Sequence, residues 1–111
     1  MARVAGVDSS TQSVKIVVRD SDSGQLLAQA SYPHPDGTEV DPQHWLTALY
    51  AVINEVGGLD SLDAISIGSQ QHGMVLLDID GQVIRPALLW NDTRSAPQAA
   101  AINAAFPDIH L

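Results

Sequence analysis

Three observations on this sequence predict an α/β fold. Its 111 residues are 45% hydrophobic but only 5% aromatic, so any core must be assembled from Val, Ile, Leu and Ala. Short β-forming runs dominate residues 4–32, punctuated by polar turns. A single amphipathic helical pattern then begins at Asp41-Pro42 and is followed by a further short strand. The expected order is a three-stranded antiparallel meander, a helix, a strand, a hairpin and a second helix, within one domain of modest core.

Val4-Ala5-Gly6-Val7 and Val14-Lys15-Ile16-Val17-Val18 are apolar runs joined by the polar residues 8–13, which predicts a hairpin. Asp20-Ser21-Asp22-Ser23-Gly24 is a second turn, and residues 25–32 complete the meander. Residues 33–41, with Pro33, Pro35 and Gly37, read as a loop. Asp41 offers an N-cap side chain ahead of Pro42, whose fixed φ suits the first helical position. Trp45, Leu46, Leu49, Val52, Ile53 and Val56 recur at helical spacing, and Gly57-Gly58 supplies the stop. Residues 64–68 alternate and predict a strand. Residues 74–79 predict another, folded back by Asp80-Gly81 onto Val83-Ile84. Ala87-Leu88-Leu89-Trp90 leads into a polar loop, and the alanine-rich residues 95–105 predict a helix interrupted at Pro107.

The net charge of −8 opposes non-specific nucleic-acid binding, which needs a basic surface to displace counterions, and equally opposes an anionic membrane surface. It also repels a nucleotide unless a metal ion and local donors reverse the field at the site. The absence of cysteine removes disulfides and thiolate chemistry and agrees with a cytoplasmic protein. No signal peptide is visible ahead of the first strand, and no apolar run approaches the roughly 20 residues of a membrane span.

Residues 8–13 concentrate hydroxyls, an amide and backbone N–H groups beside one carboxylate. Donors of that kind can face anionic phosphate oxygens while the carboxylate holds a divalent cation or its waters. The same residue types also make ordinary solvated turns, so this stretch alone leaves both readings open.

Three segments in order carry a resemblance to a known family. Gly6-Val7-Asp8-Ser9-Ser10-Thr11-Gln12-Ser13-Val14-Lys15 resembles the first phosphate loop of the FGGY carbohydrate kinases. Ser66-Ile67-Gly68-Ser69-Gln70-Gln71-His72-Gly73 is similar to their sugar-binding segment, and its Gln-Gln-His-Gly core is most similar to the branch acting on D-xylulose. Leu88-Leu89-Trp90-Asn91-Asp92-Thr93-Arg94 resembles the loop that follows. Many members carry glycine where this chain has Ser10 and Ser13; the added hydroxyls are compatible donors.

The resemblance implies the incomplete N-terminal part of a ribonuclease-H-like first domain, of the actin and sugar-kinase ATPase superfamily, across residues 1–111. The second, nucleotide-binding domain is implied to lie outside this chain. ATP and Mg2+ are the implied cofactors, with Asp8 beside the metal and the transferring phosphoryl group. Ser10, Thr11, Gln12 and Ser13 are implied contacts of the β- and γ-phosphates, with Lys15 just behind them. Gln71 and His72 are implied to hydrogen-bond a ketose. Trp90, Asn91, Asp92 and Arg94 border its pocket, Asp92 or Arg94 alternatively ordering the loop. The implied reaction is phosphorylation of D-xylulose to D-xylulose 5-phosphate, with the catalytic aspartate downstream of this chain. Ribulose, gluconate or glycerol are the alternative substrates, and a non-catalytic sugar- or protein-binding module is the alternative outside catalysis.

Plainer roles stand beside these. His72 also reads as a loop histidine satisfied by backbone, and Lys15 as the mark of a strand's solvent side. Trp45 is expected in the core, and Trp90 in either the core or a pocket wall. Asp20 and Asp22 are turn residues; Asp78, Asp80 and Asp92 read as turn and surface acids, with a second catalytic carboxylate at Asp92 the sharper alternative. His34, His44 and His110 lack partners at metal spacing. An incomplete sheet leaves an unpaired edge, so the 111-residue chain is expected to self-associate or fold marginally. A homodimer is a separate expectation for the intact enzyme.

Overall fold

Alternation along the first two strands decides which face of the sheet is covered. In the computed structural model, which describes residues 1–109, β1 (Arg3–Ser9) and β2 (Ser13–Asp20) pair antiparallel with Val7 opposite Ile16 and Asp8 opposite Lys15. Ala5, Val7, Val14, Ile16 and Val18 all point to one face and are buried. Asp8, Lys15 and Arg19 stand on the other, exposed face. β3 (Leu26–Pro33) pairs antiparallel with β2 through a register shift between Val18 and Arg19, completing the expected meander.

The buried face is covered by α1 (Pro42–Glu55), whose start is the expected one: the Asp41 side chain accepts from the Gln43 N–H at 3.0 Å. The helix ends at Gly57 and Gly58, with φ of 114° and 85°, values that L side chains rarely adopt. Ala48, Val52, Ile53 and Val56 reach the core, joined by partly buried Leu27, Leu49 and Leu62. Val14, Ile16, Val18 and Val52 are sealed off completely, and each stabilises the fold by about 1.5–3 kcal/mol relative to exposure. The expectation that Trp45 belongs to this core fails. Trp45 is half-buried and Leu46 exposed, because the first turn of α1 faces an apolar cavity of about 510 Å³, lined also by Ile67, Val75, Leu77 and Val83, that no side chain fills.

A short 3-10 turn (Leu59–Ser61) returns the chain to β5 (Ala64–Ser69), which runs parallel to β1 and gives the sheet order β3-β2-β1-β5. Arg3 secures this return. Its N–H donates to Asp63 at 2.8 Å, and its guanidinium donates to the Ser61 carbonyl at 3.0 Å and the Val56 carbonyl at 3.4 Å.

Two expectations change beyond this point. Residues 33–41 are not all loop: β4 (Glu39–Val40) pairs antiparallel with β6 (Ala87–Leu88) as a separate two-stranded sheet, burying Val40 and Ala87. Residues 74–79 and 83–84 do not form regular strands. The turn at Asp80-Gly81 does form, but only Leu77 and Val83 make a bridge. The Asp78 side chain takes the N–H groups of Asp80 and Gln82, which holds the turn without extending a ladder, and the adjoining Met74, Leu77, Ile79 and Ile84 stay exposed. α2 (Ala96–Ala105) forms as expected, with none of its side chains buried. His110 lies outside the described residues.

Candidate functional site

Parallel pairing of β1 and β5 determines where the chemistry gathers. Asp8 sits beside Gly68 and Ser9 beside Ser69, so both strands end at the same edge of the sheet and release their loops side by side. The crevice outside the carboxyl ends of parallel strands is where α/β sheets bind ligands. Here it is a hollow of about 350 Å³ lined by Asp8, Ser9, Ser10, Thr11, Ser69, Gln70, Gln71, His72 and Trp90. The 8–13 turn and the Gln71–His72 pair therefore share one cavity.

On one wall, the Ser10 N–H donates to the Ser13 carbonyl at 2.9 Å and closes the turn, while the Ser10 hydroxyl donates to Asp8 Oδ1 at 2.5 Å. Gln70 Nε2 donates to the Ser10 carbonyl at 3.1 Å, tying the two loops together. His72 has a φ of 63°, rare for a residue with a side chain, and this turns the chain sharply at the opposite wall. The third wall is the Trp90 indole, whose Nε1–H donates to Thr11 Oγ1 at 2.9 Å. Trp90 is 63% exposed, which resolves the two expectations for it in favour of a pocket wall.

Not every expected residue reaches the hollow. Gln12 and Ser13 lie in the turn and at the start of β2, and Lys15 is exposed on the Asp8 face of the sheet without lining the cavity. Asn91 follows Trp90 and is exposed. Asp92 and Arg94 are bound mainly to each other. Arg94 Nη2 meets Asp92 Oδ2 at 2.8 Å, Arg94 Nε donates to Oδ1 at 2.9 Å, and Thr38 donates to Oδ2 at 2.7 Å. Arg94 also pairs with Glu39 at 3.1 Å. The Arg94 side-chain hydrogen bond, with those from the Arg94 N–H and Thr38, lowers the Asp92 carboxyl from 3.8 to about 2. This clamp fastens the 89–94 loop to the β4 segment; Asp92 itself borders a neighbouring cleft with His72 and Trp90.

Two supporting residues were not expected as site residues. Gln70 stands in the Gln-Gln-His-Gly segment, but its role as the tie to Ser10 is seen only in the fold. His34, expected only as a loop histidine without metal partners, is 7% exposed, with Nε2 3.4 Å from Ser9 Oγ and a buried Nδ1 that no described residue reaches. Burial, and then the nearby His44, lower its pKa. The one legible hint was its position directly after the third strand, where its N–H bonds the Gln12 carbonyl at 2.8 Å.

Comparison with known proteins gives this geometry a family. The sequence model of the FGGY family of carbohydrate kinases, N-terminal domain, matches residues 3–108. The chain belongs to that family. As an FGGY chain it is 62% identical over 96 residues to a xylulose kinase of Arthrobacter sp., covering 86% of this chain and all of that sequence. It is 48% identical over 101 residues to a xylulose kinase of Streptomyces coelicolor, covering 86% of this chain and 21% of that protein. The crystal structure of xylulose kinase from Bifidobacterium adolescentis matches 98% of this chain and 22% of its own length, with a TM-score of 0.87 and 50% identity. The FGGY chain described here thus spans about a fifth of the Streptomyces and Bifidobacterium relatives. Its α/β sheet is the start of the ribonuclease-H-like fold shared by the sugar kinases and the actin-type ATPases.

Proposed function

We propose that this chain is the N-terminal, sugar-side part of an ATP-dependent ketose kinase that converts D-xylulose to D-xylulose 5-phosphate. The observation that carries the reading is the shared hollow, in which a hydroxyl-rich turn with one carboxylate faces the Gln71–His72 pair. The 62% identity to a xylulose kinase supports the choice of sugar. The catalytic aspartate and the nucleotide domain belong to a part of the protein beyond this chain.

The donor set suits magnesium held together with a nucleotide. Among the described residues no group of three or more His, Cys, Asp or Glu could hold a metal by itself. Mg2+ keeps several waters and takes one or two carboxylates plus substrate phosphates, so a lone Asp8 at the strand end is sufficient. Bound there, the ion would neutralise charge between phosphate oxygens. Ser10 and Thr11, which line the hollow, present their hydroxyls to the same oxygens, Ser10 by releasing its bond to Asp8, while Gln12 and Ser13 hold the turn through their carbonyls and Lys15, opposite Asp8, adds positive potential behind them. Gln71 and His72 orient the ketose by hydrogen bonds and Trp90 packs against its carbon skeleton, while Asn91 stays outside the hollow. Asp92 and Arg94 act by holding the loop. The rate contribution of such a site is positioning, since phosphoryl transfer asks the protein mainly to align a hydroxyl and spread charge.

The test is ADP release by the full-length protein with magnesium and a panel of xylulose, ribulose, gluconate and glycerol. Turnover is expected with xylulose above the others and none after magnesium is chelated. Turnover of glycerol without turnover of xylulose overturns the substrate assignment, and no turnover of any member overturns the kinase.

A further inference from the structure

We infer that Trp90 and Thr11 form a switchable tie that makes the nucleotide and sugar sites sense each other, an inference that rests on the function proposed above. Their hydrogen bond joins residues 79 positions apart, spanning the mouth of the hollow from the sugar loop to the phosphate turn. Its chemistry is one-directional. An indole N–H can only donate, so the Thr11 oxygen must accept, and its single proton is turned away from the indole. That proton is then available to an acceptor entering the hollow beside Asp8 and Ser10, which is where a phosphate oxygen would sit.

An N–H···O–H···O chain of this kind is cooperative, because each bond polarises the next. An anion accepting from Thr11 therefore strengthens the hold of Thr11 on the indole. The backbone around Trp90 is already fixed: the Leu89 N–H donates to the Thr38 carbonyl at 2.8 Å, and the Asp92 N–H to the Leu89 carbonyl at 3.0 Å. The exposed ring is not fixed by packing, so the Thr11 contact is what sets its angle against the sugar. A phosphate at Thr11 steadies the ring that walls the ketose, and a ketose that steadies the ring preorients Thr11 for the phosphate. The effect is reciprocal by linkage.

The experiment uses the full-length protein and two readouts. The first follows the Trp90 indole N–H resonance, assigned by its loss in Trp90→Phe, during titration with Mg·ADP alone. It is expected to shift in the unmodified protein and in Thr11→Ser, and to stay still in Thr11→Val. The second compares xylulose affinity with and without Mg·ADP. The unmodified protein is expected to gain about three- to tenfold from the nucleotide, the scale of one hydrogen bond. Trp90→Phe keeps an aromatic wall, smaller than the indole, and loses the donor, and it is expected to lose that gain. A ring needed only as a wall would weaken xylulose binding equally in both states. An indole that ignores saturating Mg·ADP, or a gain that survives in Trp90→Phe, overturns the tie. The nucleotide-only titration decides the tie even if the protein turns over some other sugar, whereas the sugar panel decides the substrate without reference to Trp90.

Discussion

The meander with α1 and the stretch from β5 onward are built to different standards. In the first, two strands and a helix bury a continuous set of Val, Ile and Ala side chains. In the second, every residue of β5 is exposed, α2 buries nothing, and Ile67, Met74, Leu77, Ile79, Ile84 and Phe106 face outward. The molecule measures 57 × 31 × 28 Å, with a radius of gyration of 18.0 Å against about 13 Å for a compact domain of this length. A packed core supports one side of the site, while the other side is held by turns, a two-residue sheet and the Asp92–Arg94 clamp. The lesson is that the 8–13 turn rests on a packed base, and the loops after β5 depend on a few polar ties.

The largest effect that sharpens this contrast is a matched pair of truncations. Ile16→Ala, at a position with no solvent exposure, is expected to cost about 2–5 kcal/mol of stability in chemical denaturation. Ile79→Ala, fully exposed, is expected to stay within about 0.5 kcal/mol. Equal costs would break the comparison.

Next comes association. The 111-residue chain is expected to self-associate in light scattering, because β5 offers an unpaired edge with exposed Ile65 and Ile67. Ile67→Lys is expected to lower the apparent mass. A monodisperse, cooperatively melting monomer would show that the exposed half needs no cover.

The smallest effect separates the two regions by pH. Burial lowers the His34 pKa below its ordinary 6.5, so the unfolded chain binds the proton more readily than the folded one. The melting temperature is therefore expected to be unaffected by this group above pH 6.5 and to fall as the pH drops below it, and less so in His34→Asn. Asp92, held at about 2 by Arg94 and Thr38, contributes fully above its ordinary 3.8, and that contribution is lost only as the pH falls from there toward 2. The environment of Trp90, read by fluorescence, is accordingly expected to hold until that lower range. Simultaneous loss at both sites would tie the regions more closely than their packing does.

Local chemistry was legible in the residues themselves. Alternation in β1 and β2, the Asp41-Pro42 helix start and the Gly57-Gly58 stop depend on neighbours a few positions away, so pattern alone placed them. The three polar segments, taken together and in order, carried the family for the same reason, since each is a contiguous run of residue types. What joins those segments was decided in three dimensions: the parallel register that sets Ser9 beside Ser69, the indole of Trp90 reaching Thr11, the burial of His34 and the displacement of Trp45 from the core. Each depends on a partner in another element, and such pairings follow from which faces pack together, a choice that no short window of sequence contains.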